Sequence, residues 1–149
     1  MTGHANGIHD VEALLRRHEG WRVRPYRDTT GHLTIGHGRN LDAKGITREE
    51  AGYLLANDLK AARTTAERYS WFSRLDRVRQ AVILDMLINL GPRGFKSFKK
   101  TRRKVQIGHY GDAAEEMLDS TWARQVGRKK DQRAGRLAEM MRTGEWPTR

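Results

Sequence analysis

Two carboxyl groups and a hydroxyl lie close together early in the chain. Glu19 is followed nine residues later by Asp28 and six residues after that by Thr34, within the stretch EGWRVRPYRDTTGHLT. A Glu and an Asp beside a hydroxyl are suited to acid/base hydrolysis of a glycosidic bond. One carboxyl group gives its proton to the leaving oxygen, while an ionised one assists water or the developing cation. Three histidines, His18, His32 and His37, share this region with Asp28 and invite a zinc reading. Their spacing fits neither an i, i+4 helical pair nor a compact ligand motif, so no metal is expected.

The local signals place the three groups on different elements. Ile8, Val11, Leu14 and Leu15 form an apolar stripe at helical spacing and Gly20 is a stop signal, which puts Glu19 at the end of a helix. The dipole at a helix C-terminus disfavours an anion, and a proton donor benefits from that. From Trp21 to Asn40 the texture changes to short β-forming runs punctuated by Pro25, Gly31, Gly36 and Gly38, with Asp-Thr-Thr-Gly as a turn, so a small antiparallel sheet of two or three strands is expected. Asp28 then opens a turn, Thr34 begins a strand, and the two can face Glu19 across a concave surface. For Trp21, Tyr26 and Leu33, core packing is the expected role.

Downstream, Asn40–Gly45 reads as a short connector. Thr47 and Glu50 form a capping box for a helix reaching about Arg68, with Ala51, Leu54, Leu55, Leu59 and Ala62 at helical spacing. Trp71 and Phe72 give an apolar landing point. Asp76–Leu90 is apolar around most of its circumference, as in a helix central to a bundle, and Gly91-Pro92 ends it. Shorter helices are expected at Phe95–Ile107, after Asp112, around Trp122–Val126, and at Arg128–Arg142.

The 149 residues suit a single domain, with room for two lobes, and contain no Cys, which removes disulfides, thiolate catalysis and cysteine zinc sites. No apolar run is long enough for a membrane span, and Met1–Asp10 lacks the basic-then-apolar order of a secretory signal. The net charge is +11; residues 1–90 hold 14 basic and 11 acidic side chains and residues 91–149 hold 15 and 7, hence +3 and +8. Such a field favours a polyanion: nucleic acid, anionic lipid or lipopolysaccharide, or a wall polymer bearing carboxylates and phosphates.

The Glu, eight residues, Asp, five residues, Thr pattern resembles the catalytic signature of the phage-type, T4-like lysozymes or endolysins (glycoside hydrolase family 24). The similarity continues in TIGHG (34–38), GITREEA (45–51), LDRVRQAVILDMLINLG (75–91), the Gly and Phe positions of 94–98, AAEEML, STW ending at Trp122, and RTGEW. It spans nearly the whole chain in the family's order. The resemblance implies a muramidase that cuts the β-1,4 bond between N-acetylmuramic acid and N-acetylglucosamine in peptidoglycan, needing no cofactor and acting as a monomer. Glu19 would be the general acid. Asp28 would support the oxocarbenium charge and help activate water, which Thr34 would orient. Attack from the opposite face would invert the anomeric centre, with the carboxyl groups about 6.5–9.5 Å apart. Asn89, Phe98 and Arg133 match substrate-binding positions, Asn89 as a hydrogen-bond partner for a sugar amide and Arg133 as a cation close to the acid; Arg136 follows one turn later. Trp122 is expected in the core. Family members of this kind accumulate in the host cytoplasm and reach the wall through a holin lesion.

The fold expected is α+β and predominantly helical. A small sheet lobe at about residues 20–60 would be joined by a long helix to a helical lobe of residues 1–19 plus 70–149. Four features depart from the T4 enzyme. The Asn40–Gly45 connector is shorter, His37 stands inside TIGHG where that enzyme has an apolar residue, and Arg39 replaces its histidine. His18 precedes the acid where a carboxylate is usual, which removes an ion pair to Arg136. The rival of a different class is a nucleic-acid-binding domain, which suits the charge but leaves Glu19, Asp28 and Thr34 without a role. Its DNA binding would survive Glu19→Gln.

Overall fold

A computed structural model describes residues 7–148, with side chains from Val11 onward. The elements are α1 (Gly7–Glu19), β1 (Arg22–Arg27), β2 (Leu33–Gly36), β3 (Arg39–Asn40), α2 (Leu41–Lys44), α3 (Arg48–Ala66), a 3-10 turn (Phe72–Arg74), α4 (Arg77–Lys96), α5 (Lys99–Gln106), α6 (Tyr110–Leu118), α7 (Thr121–Val126) and α8 (Arg133–Thr143). This is a mostly helical α+β fold with one small antiparallel sheet, as expected. The chain divides into two compact units, Met1–Tyr53 and Leu54–Arg149. The division groups α1 with the sheet, whereas the sequence reading grouped residues 1–19 with 70–149. The tie is local: the Gly20 carbonyl that follows α1 is bonded to His37 of the β2–β3 turn.

In the first unit the sheet order is β1-β2-β3. Tyr26 pairs with Thr34 and Arg22 with Gly36, so β1 carries extra residues between these pairs. Pro25 sits in this irregular stretch of an edge strand, where its missing N–H breaks no ladder bond. The Asn40–Gly45 connector is not plain loop. Asn40 caps the single-turn α2 by accepting from the Ala43 N–H at 2.9 Å, and Gly45 ends it at φ 57°. One turn is too short to leave a periodic signal. The Thr47–Glu50 capping box forms as read: Glu50 N–H donates to Thr47 Oγ1 at 3.1 Å and Thr47 N–H to Glu50 Oε2 at 2.8 Å. Arg39 closes onto the same carboxylate through both guanidinium nitrogens, fastening β3 to the start of α3.

The second unit contains the core. Seven residues of α4 are buried, Val78, Val82, Ile83, Leu84, Met86, Leu87 and Phe95, together with Trp71, Phe72, Met117, Leu137 and Met141. Asp76 caps α4 by accepting from Arg79 N–H at 2.9 Å. At Gly91 the helix breaks, with φ 74°, and resumes at Pro92 for one further turn through Lys96. Proline fits the first position of a helical segment because that N–H has no partner to lose. Phe95 therefore belongs to α4, and α5 starts only at Lys99, later than its sequence suggested. Residues 128–132 form a loop instead of opening α8. The Ala134 and Gly135 N–H groups both reach back to Gly127 O, and a Cβ at Gly135 would fall on the Lys129 carbonyl oxygen.

Apolar periodicity locates the helices better than it locates cover. Val11, Leu14 and Leu15 of α1 are each more than half exposed, as are Leu54 and Leu55 of α3, where only Ala62 and Ala66 are buried. Ile8 lies outside the described side chains. Trp21, expected in the core, is also exposed, as is Val23 of β1, while Tyr26 and Leu33 are half-buried.

Candidate active site

Glu19 is the last residue of α1. Gly20, at φ 64°, turns the chain out of the helix while its N–H still bonds Arg16 O at 3.0 Å. The Glu19 carboxyl group lies against Gly38 in the β2–β3 turn. A Cβ built on Gly38 would stand 2.6 Å from Glu19 Oε2 and 2.8 Å from its Cδ. Only a residue without a side chain lets the turn come this close, and the φ of 77° at Gly38 favours glycine for a second reason.

His37, next to Gly38, fixes the approach. Its Nδ1 is 2.5 Å from Gly20 O and its Nε2 is 3.2 Å from Arg16 Nη1. Arg16 is held in turn by Glu12 Oε1, at 2.9 Å from Nε and 2.6 Å from Nη2.

Asp28 begins the β1–β2 turn. Its Oδ1 accepts from the Thr30 N–H at 2.9 Å, the Thr30 hydroxyl at 2.8 Å and the His32 N–H at 2.9 Å. Its own N–H donates to His32 O at 3.0 Å. The Thr30 hydroxyl and the His32 N–H, in that order, hold the Asp28 carboxyl below the usual carboxylate range, with the nearby His32 ring adding a smaller effect. Each stabilises the anion specifically. Because Oδ1 takes all three bonds, Oδ2 is the oxygen left to act. Thr34 Oγ1 is 3.5 Å from it and donates to His32 O at 3.0 Å. Thr34 is one of the few buried polar residues, 3% exposed, so its hydroxyl is well fixed.

All three predicted groups thus fall in the first unit. Asp28 and Thr34 share a turn and strand start, and Glu19 meets the turn four residues beyond Thr34. Sequence reasoning did not assign Thr30 and His32, which make Asp28 a persistent anion, or Gly38, which makes room for the acid. The Asp-Thr-Thr-Gly turn signal was the available clue for the first two, since Asp side chains commonly bond the backbone two residues on.

The substrate-binding candidates lie in the second unit. Asn89 Oδ1 accepts from the buried Trp122 indole at 2.6 Å, which leaves the Asn89 amide hydrogens to donate elsewhere. Phe98 stands edge-on to Trp122, ring centroids 5.9 Å apart. Both line a cleft of about 660 Å³ together with Lys100, Thr101, Glu116 and Gln125. Arg133 Nε donates to Asp85 Oδ1 at 2.8 Å, and Arg136 caps the Asp131 carbonyl at 2.7 Å. Among the described residues no three His, Asp or Glu side chains converge as a metal site would.

Similarity to known proteins covers the same residues. The chain is 26% identical over 167 residues to "Probable T4-type lysozyme 1" of Dictyostelium discoideum, covering 92% of this chain and 96% of that protein. It is 28% identical over 120 residues to the "Endolysin" of Acyrthosiphon pisum secondary endosymbiont phage 1, covering 78% and 80%. Over 161 residues it is 26% identical to the "Pre-baseplate central spike protein Gp5" of Enterobacteria phage T4, covering 88% of this chain but 27% of that protein. The profile of the phage lysozyme family matches residues 16–138, from the last turn of α1 into α8, and the chain belongs to that family of glycoside hydrolases.

Proposed function

We propose that this protein is an endolysin-type muramidase that hydrolyses the β-1,4 bond between N-acetylmuramic acid and N-acetylglucosamine in bacterial peptidoglycan. The observation that carries the reading is the contrast between two carboxyl groups of one unit. Asp28 is committed to the anion by three hydrogen bonds on Oδ1, while Glu19 sits exposed at a helix end against a bare glycine. One unit then holds a fixed negative charge on one carboxyl group and a second carboxyl group without such a set of hydrogen bonds, two different environments of the kind that glycoside cleavage uses.

Glu19 protonates the leaving oxygen as the C–O bond breaks. A carboxyl group held below its usual range is a weak base, so Asp28 acts mainly by its charge. It stabilises the oxocarbenium-like transition state and, through Oδ2, accepts a hydrogen bond from the attacking water, whose proton passes to this carboxylate as the new C–O bond forms. Thr34 Oγ1, whose proton is given to His32 O, offers that water its lone pairs. Attack opposite Glu19 inverts the anomeric carbon. Asn89, with its carbonyl held by Trp122, presents its amide to an acetamido oxygen of the sugar, beside the Phe98 ring. Arg133 serves as a cation for the substrate's carboxylates.

Peptidoglycan and its anionic companions also fit the charge. Lys99, Lys100 and Arg103 on α5 are exposed and have no carboxylate partner among the described residues, whereas Lys104 pairs with Asp112. We assign this face to attraction by wall polymers or lipopolysaccharide. Among the described residues no helix is long and apolar enough to cross a membrane. Release of new reducing ends from purified peptidoglycan tests the reading. The wild type should release them, with the α-anomer formed first by proton NMR, and Glu19→Gln should lose at least about 1,000-fold. An inactive wild type, or an undiminished Glu19→Gln, overturns it.

A further inference from the structure

We infer that His37 is a positioning residue for the catalytic acid, a strap that ties the end of α1 to the turn carrying Gly38. This rests on the muramidase reading of Glu19. Three contacts define it. Nδ1 meets the carbonyl of Gly20, the residue after Glu19. Nε2 meets Arg16 one helical turn before Gly20, and Gly38 next in the chain packs its Cα under the Glu19 carboxyl group.

The hydrogen-bond pattern sets the tautomer. A carbonyl can only accept, so Nδ1 carries the hydrogen toward Gly20 O. A guanidinium can only donate, so Nε2 accepts from Arg16. The imidazole is therefore used at both ends, as donor to the residue that leaves the helix and as acceptor from the helix's last turn. Glu12 completes the arrangement by holding Arg16.

Gly20 leaves the helix at φ 64° and its own N–H closes the last turn onto Arg16 O, so the direction of the chain just past Glu19 is set by what holds the Gly20–Trp21 peptide. Here that holder is the residue adjacent to the one that touches the acid. The turn that sets the height of the Glu19 carboxyl thus also pins the backbone from which that side chain projects. An apolar side chain at position 37 could fill the space but could not bond the carbonyl.

The test compares His37→Ala, His37→Asn and His37→Gln with wild type and Glu19→Gln on soluble peptidoglycan fragments, with circular dichroism to verify folding. Asn can place its amide N–H near the position of Nδ1; Gln places it one bond further out. The expected result is that His37→Ala lowers kcat about tenfold with KM within about twofold, that His37→Asn recovers most of the loss, and that His37→Gln does not. Should His37→Ala fail to fold, the contrast between Asn and Gln decides the matter. Wild-type kcat in His37→Ala, a change confined to KM, or equal behaviour of Asn and Gln overturns the strap and leaves the muramidase reading standing. An inactive wild type or an active Glu19→Gln removes both.

Discussion

Replacing Gly38 by Ala separates the requirement for an unusual backbone from the requirement for space. At φ 77° an L-residue is strained, at a cost of about 1–2 kcal/mol, and the same charge applies to Gly36 at φ 64°. The two glycines differ in what a methyl group would meet. At Gly36 there is nothing within 4 Å, while at Gly38 the Glu19 carboxyl oxygen would be 2.6 Å away. Ordinary contact begins at 3.4 Å, so the carboxyl group must withdraw by about 0.8 Å, and being the far end of a flexible side chain it can. Stability should therefore fall by about the same 1–2 kcal/mol in both variants, a few degrees in melting temperature for a chain this long. Activity should not fall equally. Misplacement of a catalytic group by about 1 Å costs on the order of 100-fold, so Gly38→Ala should lose tens-fold to about 100-fold in kcat while Gly36→Ala stays within about threefold. Thermal unfolding and reducing-end release, measured on both proteins, give the comparison. A Gly38→Ala enzyme no more impaired than Gly36→Ala would refute the claim that the turn positions the acid.

Three further outcomes follow from other parts of the molecule. The lowered Asp28 carboxyl contributes stability that is present above its ordinary pKa of 3.8 and is lost as pH falls through the lower folded value. Thr30→Val removes the leading hydrogen bond, so the acid limb of kcat/KM should move to higher pH; an unmoved limb means that Asp28 does not set it. Arg79, on α4, donates from Nε to Met141 O at 2.7 Å and from Nη2 to Arg142 O at 3.0 Å, and lies 3.9 Å over the Tyr110 ring. Arg79→Met strips the end of α8 of these donors and should cost about 2–3 kcal/mol by chemical denaturation, leaving activity per folded molecule intact. Changing Lys99, Lys100 and Arg103 together to Glu should slow lysis of intact walls and weaken its salt dependence, while turnover of a neutral chitooligosaccharide stays insensitive to salt before and after the change; equal salt responses on both substrates before mutation would exclude the electrostatic role.

Much of this protein was legible in residue order. The end of α1 at Glu19, the capping box at Thr47 and Glu50 and the apolar α4 all rest on interactions within a few residues, and such signals survive in sequence. The spacing of Glu19, Asp28 and Thr34 marked the candidate chemistry for the same reason. Tertiary structure decided what depends on approach between distant segments. It set the bare Gly38 under Glu19, the imidazole of His37 on a carbonyl seventeen residues away, the bidentate Arg39–Glu50 pair, and the loop at 128–132 that delays α8. It also decided which apolar faces are covered: period fixes the residues that share a face, but only packing against another element takes that face out of water.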